Sequence, residues 1–178
     1  MKIKHRPLNV NSATYQQELR PDRPATATPE KLARGRLLIQ NFALGFGIVF
    51  LVVGIAGFIP GLSQPEHTTP PLVMEAFHGR LLGLFPINLL HNVVHLLIGV
   101  WGILGARNIA GAIGFSRGLA IFYGLLAIMG LIPGLQTLFG LIPIHGHDVW
   151  LHAGSALIAA YFGFGPPARS AKLGQRML

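Results

Sequence analysis

Two imidazoles stand four residues apart in Asn88-Leu89-Leu90-His91-Asn92-Val93-Val94-His95, and Asp148 and His152 repeat the interval. On a helix this spacing puts both members of a pair on one face, one turn apart. If the two faces meet, three ring nitrogens and a carboxylate form a ligand set that suits zinc or a similar ion. Alternatively, His95 and His152 are each placed to ligate the metal of a haem or a chlorophyll-type pigment. A plainer chemistry is open to the same residues. Helices in lipid lack a hydrophobic drive to associate, and Asn, His and Ser hydrogen bonds take its place. His95 with His152, or His91 with Asp148, would then fasten helices, and Asn88, Asn92 and His145 would add polar helix–helix contacts. Asn92 stands where the zinc hydrolases of the His-Glu-x-x-His type carry their Glu. Ser155, one turn from His152, makes an ordinary pair and not a triad. No catalytic residue is assigned, and the chain is read as a non-enzyme.

The elements that must position these residues are apolar helices. Hydrophobic residues make up 51% of the 178 and charged ones only 11%, against roughly 25% charged in a soluble domain, and the mean hydropathy is +0.53. Four stretches read as spans: 37–59, 88–104, 118–132 and 149–164. The last three are short for the roughly 20 residues a spanning helix needs. Leu135 to Ile144 is shorter still and carries Pro143, so it reads as interfacial. In the loop before it, Val73, Phe77, Leu81 and Leu84 share a helical face with Glu75, His78 and Arg80 off it, which predicts a second helix lying in the interface. The fold class is therefore an all-α membrane protein with four transmembrane helices and interfacial helices in the outer loops. Cysteine is absent, which removes disulfides and thiolate metal sites.

Charge gives the orientation. Lys2, Lys4, Arg6, Arg20, Arg23, Lys31, Arg34 and Arg36 precede the first span, Arg107 and Arg117 fall in the second-to-third connection, and Arg169, Lys172 and Arg176 lie in the tail. Only Arg80 falls on the other side. By the positive-inside rule both termini are cytoplasmic. The formal charge of +8 thus reports topology and attraction to anionic lipid headgroups, not nucleic acid. Residues 1–36 read as a basic, disordered cytoplasmic arm that contacts lipid or a partner, 37–164 as the transmembrane domain and 165–178 as a cytoplasmic tail.

An internal repeat orders the spans. Residues 81–95, LLGLFPINLLHNVVH, align without gaps on residues 138–152, LFGLIPIHGHDVWLH. Upstream, residues 54–62 resemble residues 127–135, with Ile-Pro-Gly-Leu in both. Two tandem hairpins follow: helix, Pro-Gly stop, outer loop, Leu-x-Pro-Ile re-entry, helix. The repeat matches His95 to His152, His91 to Asp148 and Asn88 to His145, in the outer half of the membrane.

The pattern Asn88-x-x-His91-Asn92-x-x-His95-x-x-x-Gly99-x-x-Gly102, echoed by Asp148-x-x-x-His152, resembles bacterial four-helix membrane proteins grouped as domain of unknown function 4383. The resemblance covers about residues 37–164. It implies a four-span bundle in a bacterial inner or intracytoplasmic membrane and supplies no activity. Two functional readings stand. The favoured one is a non-catalytic accessory or scaffolding subunit of a larger membrane complex, with lipids and other membrane subunits as partners. The other is a metal-, haem- or pigment-binding protein of an electron-transfer or photosynthetic complex, using His91, His95, Asp148 and His152.

Overall fold

The computed structural model describes residues 28–66 and 70–176, so Lys2, Lys4, Arg6, Arg20, Arg23 and His67 lie outside the described residues. Within them the chain is mostly helical: α1 (Pro29–Ala56), α2 (Leu89–Gly105), α3 (Ile109–Leu131), α4 (His147–Phe164) and α5 (Pro166–Arg176). Two of these, α1 and α3, are long and apolar enough to cross a membrane. At 1.5 Å per residue, α2 with its 17 residues and α4 with its 18 reach only about 25–27 Å.

Each helix start has a local cause. Thr28 caps α1, accepting a hydrogen bond from the Lys31 amide, and Pro29 takes the first helical position, where its missing N–H costs nothing. The helix therefore begins eight residues before Leu37, and Lys31, Arg34 and Arg36 are part of it and not of a disordered arm. Asn88 and Asn108 cap α2 and α3 in the same way. The second cap puts Ile109–Arg117 into α3, leaving Ala106–Asn108 as the whole connection. In the tail, α5 follows Gly165 and packs small residues against α1: a Cβ on Gly35 would meet Ser170 Cβ at 2.6 Å and the Ala171 amide at 3.0 Å.

The helices form two antiparallel hairpins. In the first, Gly47 of α1 lies against the backbone of Gly99, Gly102 and Ile103 of α2, and Gly54 against Asn92 and Leu96. In the second, Gly130 of α3 lies against Ile144 and Val149, while Gly163 of α4 lies against Ser116 and Arg117. Close approach of backbones through small residues is how helices pack without a hydrophobic drive. Across the hairpins α1 and α3 run parallel, with Phe42 beside Phe115 and Phe50 beside Tyr123 at ring-centroid distances of 6.5 and 5.3 Å. The buried core follows this line: Ile39, Phe42, Phe115, Leu119 and Tyr123, closed below by Ala168 and Ala171 of α5.

The outer loops differ from expectation. Where an interfacial helix is predicted, residues 63–87 hold a three-stranded antiparallel sheet: β1 (Ser63–Gln64), β2 (Gly79–Leu81) and β3 (Phe85–Ile87), with Gln64 opposite Arg80 and Arg80 opposite Pro86. Pro86 and the reversal at Leu82-Gly83 break the helical periodicity that the apolar spacing suggests. The second outer loop, predicted as an interfacial segment, is a chain of turns whose amides bond three residues back, at Leu135, Leu138 and Leu141. Gly61 and Gly134 both adopt φ near +90°, and the pairs Leu82-Gly83 and Phe139-Gly140 are both left-handed, at +54° and +73° and at +61° and +84°.

Candidate functional site

At the end of the bundle remote from α5, polar residues fill the contact between the hairpins. His91, His95, Asp148 and His152 are each no more than 6% exposed. Their positions follow from the helix starts: the Asn88 cap puts His91 and His95 on the buried face of α2, and the turn at Gly146 (φ +66°) puts Asp148 and His152 on that of α4. The rings of His91 and His95 lie 4.6 Å apart between centroids and tilted by 37°, and His91 lies 6.5 Å from His152. The His91 Nδ1 donates to the Pro86 carbonyl at 3.0 Å. It stands 4.0 Å from Asp148 Oδ2, too far for a hydrogen bond, and that oxygen has no hydrogen-bond partner among the described residues. Nδ1 of His95 and of His152 are likewise buried and unpartnered.

Two aromatic rings complete the cluster. Phe50 stacks on His95 at 5.5 Å, and Tyr123 sets its edge to His152 at 4.9 Å. Sequence reasoning missed both rings. Their signal is present, since each lies ten residues before the proline of its Ile-Pro-Gly-Leu stop, Pro60 or Pro133. Among His91, His95, His152 and Tyr123, with Leu126 and Ile144, lies a cavity of about 20 Å³. That is room for one water and not for a tetrapyrrole.

The predicted ligand set is thus gathered but not arranged for coordination. Among the described residues no group of three or more His, Asp or Glu side chains is placed to hold a metal ion. One cause is local: the carbonyl of Pro86 engages His91 Nδ1. The structure thus brings His91, His95, Asp148 and His152 together at the contact between the hairpins without the spacing of a metal site.

The three predicted polar contacts divide. Asn92 does join helices, donating from Nδ2 to the carbonyl of Gly57 at the end of α1, 2.9 Å away. Asn88 instead ties loops: its Oδ1 accepts from the His91 amide at 2.9 Å, and its Nδ2 donates to the carbonyls of Met74 at 2.9 Å and Leu141 at 2.7 Å. His145 sits in the second outer loop and joins no helices, because the chain is still turning there. Its neighbours are Glu66, Arg80 and His78, and burial holds its imidazole below the ordinary 6.5, outweighing the upward pull of the Glu66 carboxylate. Arg80 donates to Glu66 Oε1 from both Nε and Nη2. At the opposite end Lys31 and Arg34 are exposed and Arg36 half-buried.

These features define a mostly helical protein with two helices able to cross a membrane and a polar cluster sealed in its core. The chain belongs to the family described as Domain of unknown function (DUF4383), which matches residues 40–165. None of the curated proteins and none of the solved structures matches it.

Proposed function

We propose that the chain is a four-span integral membrane protein of two tandem hairpins, with both ends cytoplasmic, acting as a non-catalytic accessory or scaffolding subunit of a larger membrane complex. The observation that carries this reading is the inverted distribution of polarity. The cluster of Asn, His and Asp side chains is sealed inside, while Leu97, Trp150 and Leu157 on α2 and α4 are 64%, 73% and 73% exposed. So continuous an apolar surface suits a bilayer or another membrane protein, not water. The shared turn conformations at Gly61 and Gly134 and at Leu82-Gly83 and Phe139-Gly140 support the repeat, as do the equivalent pairs Phe50–His95 and Tyr123–His152. Both copies put an aromatic ring against the second imidazole of the pair, stacked in the first and edge-on in the second.

Room for partner helices supports the accessory role. Gly45, Gly114 and Gly154 lie in helices yet face open space, with nothing within 4 Å of a Cβ. A helix-interior glycine costs about 1 kcal/mol against alanine, and no contact among the described residues recovers it. Purification from native membranes in a mild detergent, followed by mass spectrometry, tests the role. Stoichiometric membrane-protein partners are expected, whereas a lone particle with unchanged stability would refute it. The pigment-binding alternative is disfavoured by the size of the cavity between the imidazoles.

A further inference from the structure

Both outer loops turn on a residue pair of an unusual kind. In each, φ is positive at two successive central residues, Leu82-Gly83 and Phe139-Gly140, and the amide after the pair bonds back across it, Leu84 to the Leu81 carbonyl and Leu141 to that of Leu138. That is the type I′ turn, whose first central position is ordinarily Asn, Asp or Gly, since these tolerate the left-handed conformation. A bulky apolar residue there is an outlier. Such an outlier persists where the surrounding structure enforces it, and it points to a function. Among the described residues four bulky side chains carry a positive φ, Phe77, Leu82, Leu138 and Phe139, and of these Leu82 and Phe139 fall at equivalent positions of the two copies. In neither case does burial explain it: Leu82 is 62% exposed and Phe139 74%.

The surroundings of the two side chains are apolar as well. The Leu82 amide bonds to the Leu62 carbonyl, and the Gly140 carbonyl accepts from Val73. Leu62, Leu84, Val73 and Leu141 are themselves exposed. The nearest cation in sequence, Arg80, is spent on Glu66. Helix length supplies the remaining argument. The reach of about 25–27 Å computed for α2 and α4 from 17 and 18 residues falls short of a hydrocarbon core of roughly 30 Å. Something other than helix must meet the outermost acyl chains.

We infer that Leu82 and Phe139 are a matched pair of apolar prongs that seat the outer turns in the acyl-chain boundary of the outer leaflet. The inference rests on the membrane reading above. Lipid is favoured over a protein partner because the two prongs belong to separate loops, each with its own apolar rim. Their left-handed turns hold the side chains outward without any partner to shape them. The outer loops are then part of the membrane-embedded surface and not an aqueous cap.

The absence of cysteine makes the test direct. Leu82→Cys, Phe139→Cys, Glu75→Cys and Leu157→Cys, each in the full chain, carry a nitroxide label in phosphatidylcholine–phosphatidylglycerol liposomes. Collision with lipid-soluble oxygen is compared with collision with a water-soluble nickel chelate. At positions 82 and 139 oxygen should win several-fold, as at the mid-helix position 157, while position 75 should favour the chelate. Chelate dominance at 82 and 139 with oxygen dominance at 157 overturns this inference and leaves the membrane reading intact. Chelate dominance at 157 as well overturns both. Shielding from both probes at 82 and 139 means a protein covers the turns, which also refutes it. Should a label disturb its turn, Leu82→Trp and Phe139→Trp, made with Trp101→Phe and Trp150→Phe, report the same depth through quenching by brominated lipids. Unquenched emission there counts against the proposal.

Discussion

Two glycines two residues apart on α1 should respond differently to the same substitution, one gaining stability and the other gaining none. A Cβ on Gly45 meets nothing within 4 Å, whereas one on Gly47 would stand 2.7 Å from the Ile103 amide nitrogen, 2.9 Å from the Gly99 carbonyl oxygen and 3.0 Å from the Gly102 carbonyl carbon. All three are backbone atoms of one rigid helix, so no side chain can swing aside. Restoring an ordinary contact requires α1 and α2 to part by about 0.7 Å along their length. Overpacking of this kind costs about 1–3 kcal/mol. Both substitutions also gain helix propensity of about 1 kcal/mol. Gly45→Ala should therefore stabilise by about 1 kcal/mol. Gly47→Ala should come out neutral to destabilising by about 2 kcal/mol. The difference between the variants, about 1–3 kcal/mol, is the cleaner quantity because the propensity term cancels in it. Unfolding of the purified protein in mixed dodecylmaltoside–dodecyl sulfate micelles, followed by circular dichroism, measures both. Equal stabilisation by the two alanines would refute the close α1–α2 contact on which the first hairpin rests.

Three further outcomes are expected. Asn88→Ala should cost on the order of 3 kcal/mol in the same assay, because it removes the α2 cap and leaves the Met74 and Leu141 carbonyls without their donor; Asn88→Asp, which keeps the cap acceptor, should recover only part of the loss. Ala171→Leu should pry α5 from Gly35 of α1, so that trypsin cleaves at Arg169 and Lys172 many times faster while the unfolding midpoint of the bundle barely moves. Since burial lowers the His145 pKa below its ordinary 6.5, the unfolded chain binds the proton more readily; the stability His145 contributes is complete above pH 6.5 and is lost as pH falls through its folded value. His145→Gln should accordingly flatten the decline in midpoint between pH 7 and pH 5, and an unchanged slope would contradict the burial.

Much of this architecture is legible in residue order, and the exceptions have physical causes. Composition and apolar runs announce the helices, because a helix clothed in leucine and glycine has few other uses. Helix starts were less legible. Thr28-Pro29-Glu30 is a capping signal, yet the basic residues after it read as an arm, and the glycines of Ile109–Arg117 read as a connection because glycine disfavours isolated helices. Tertiary contact overrides that preference: a Cβ on Gly111 would press the Gly105 carbonyl oxygen at 2.7 Å, so the small side chain is what lets α3 begin where it does. The interfacial helix misread at residues 73–84 is a failure of periodicity, since a short sheet with exposed apolar turns can mimic helical spacing over three turns. Spacing nominated His91, His95, Asp148 and His152 correctly as neighbours. It could not say whether the ring nitrogens converge on a point, because convergence depends on side-chain rotation and on Pro86, whose carbonyl takes one of them.

How the two proposed copies differ bears on what the cluster is for. Where the first hairpin sets Leu51 against Gly99, with a Cβ on that glycine only 2.6 Å from the Leu51 Cγ, the second sets Gly124 against Ala156 at 4.0 Å. The larger side chain changes helix and the contact survives. Gly57 faces Asn92, and its counterpart Gly130 faces Val149; a hydrogen-bonded amide in one copy is an apolar branch of similar size in the other. His91 is answered by Asp148 and Phe50 by Tyr123. A packing site needs volume and at least one satisfied polar link per contact. The chain repeats volume. Only the ring-on-imidazole pairs, Phe50 on His95 and Tyr123 on His152, keep their chemistry on both sides, and Phe50 and Tyr123 meet each other at 5.3 Å. That places the strongest constraint at the line where the hairpins join. A core that holds two hairpins in one register has its most demanding fit there.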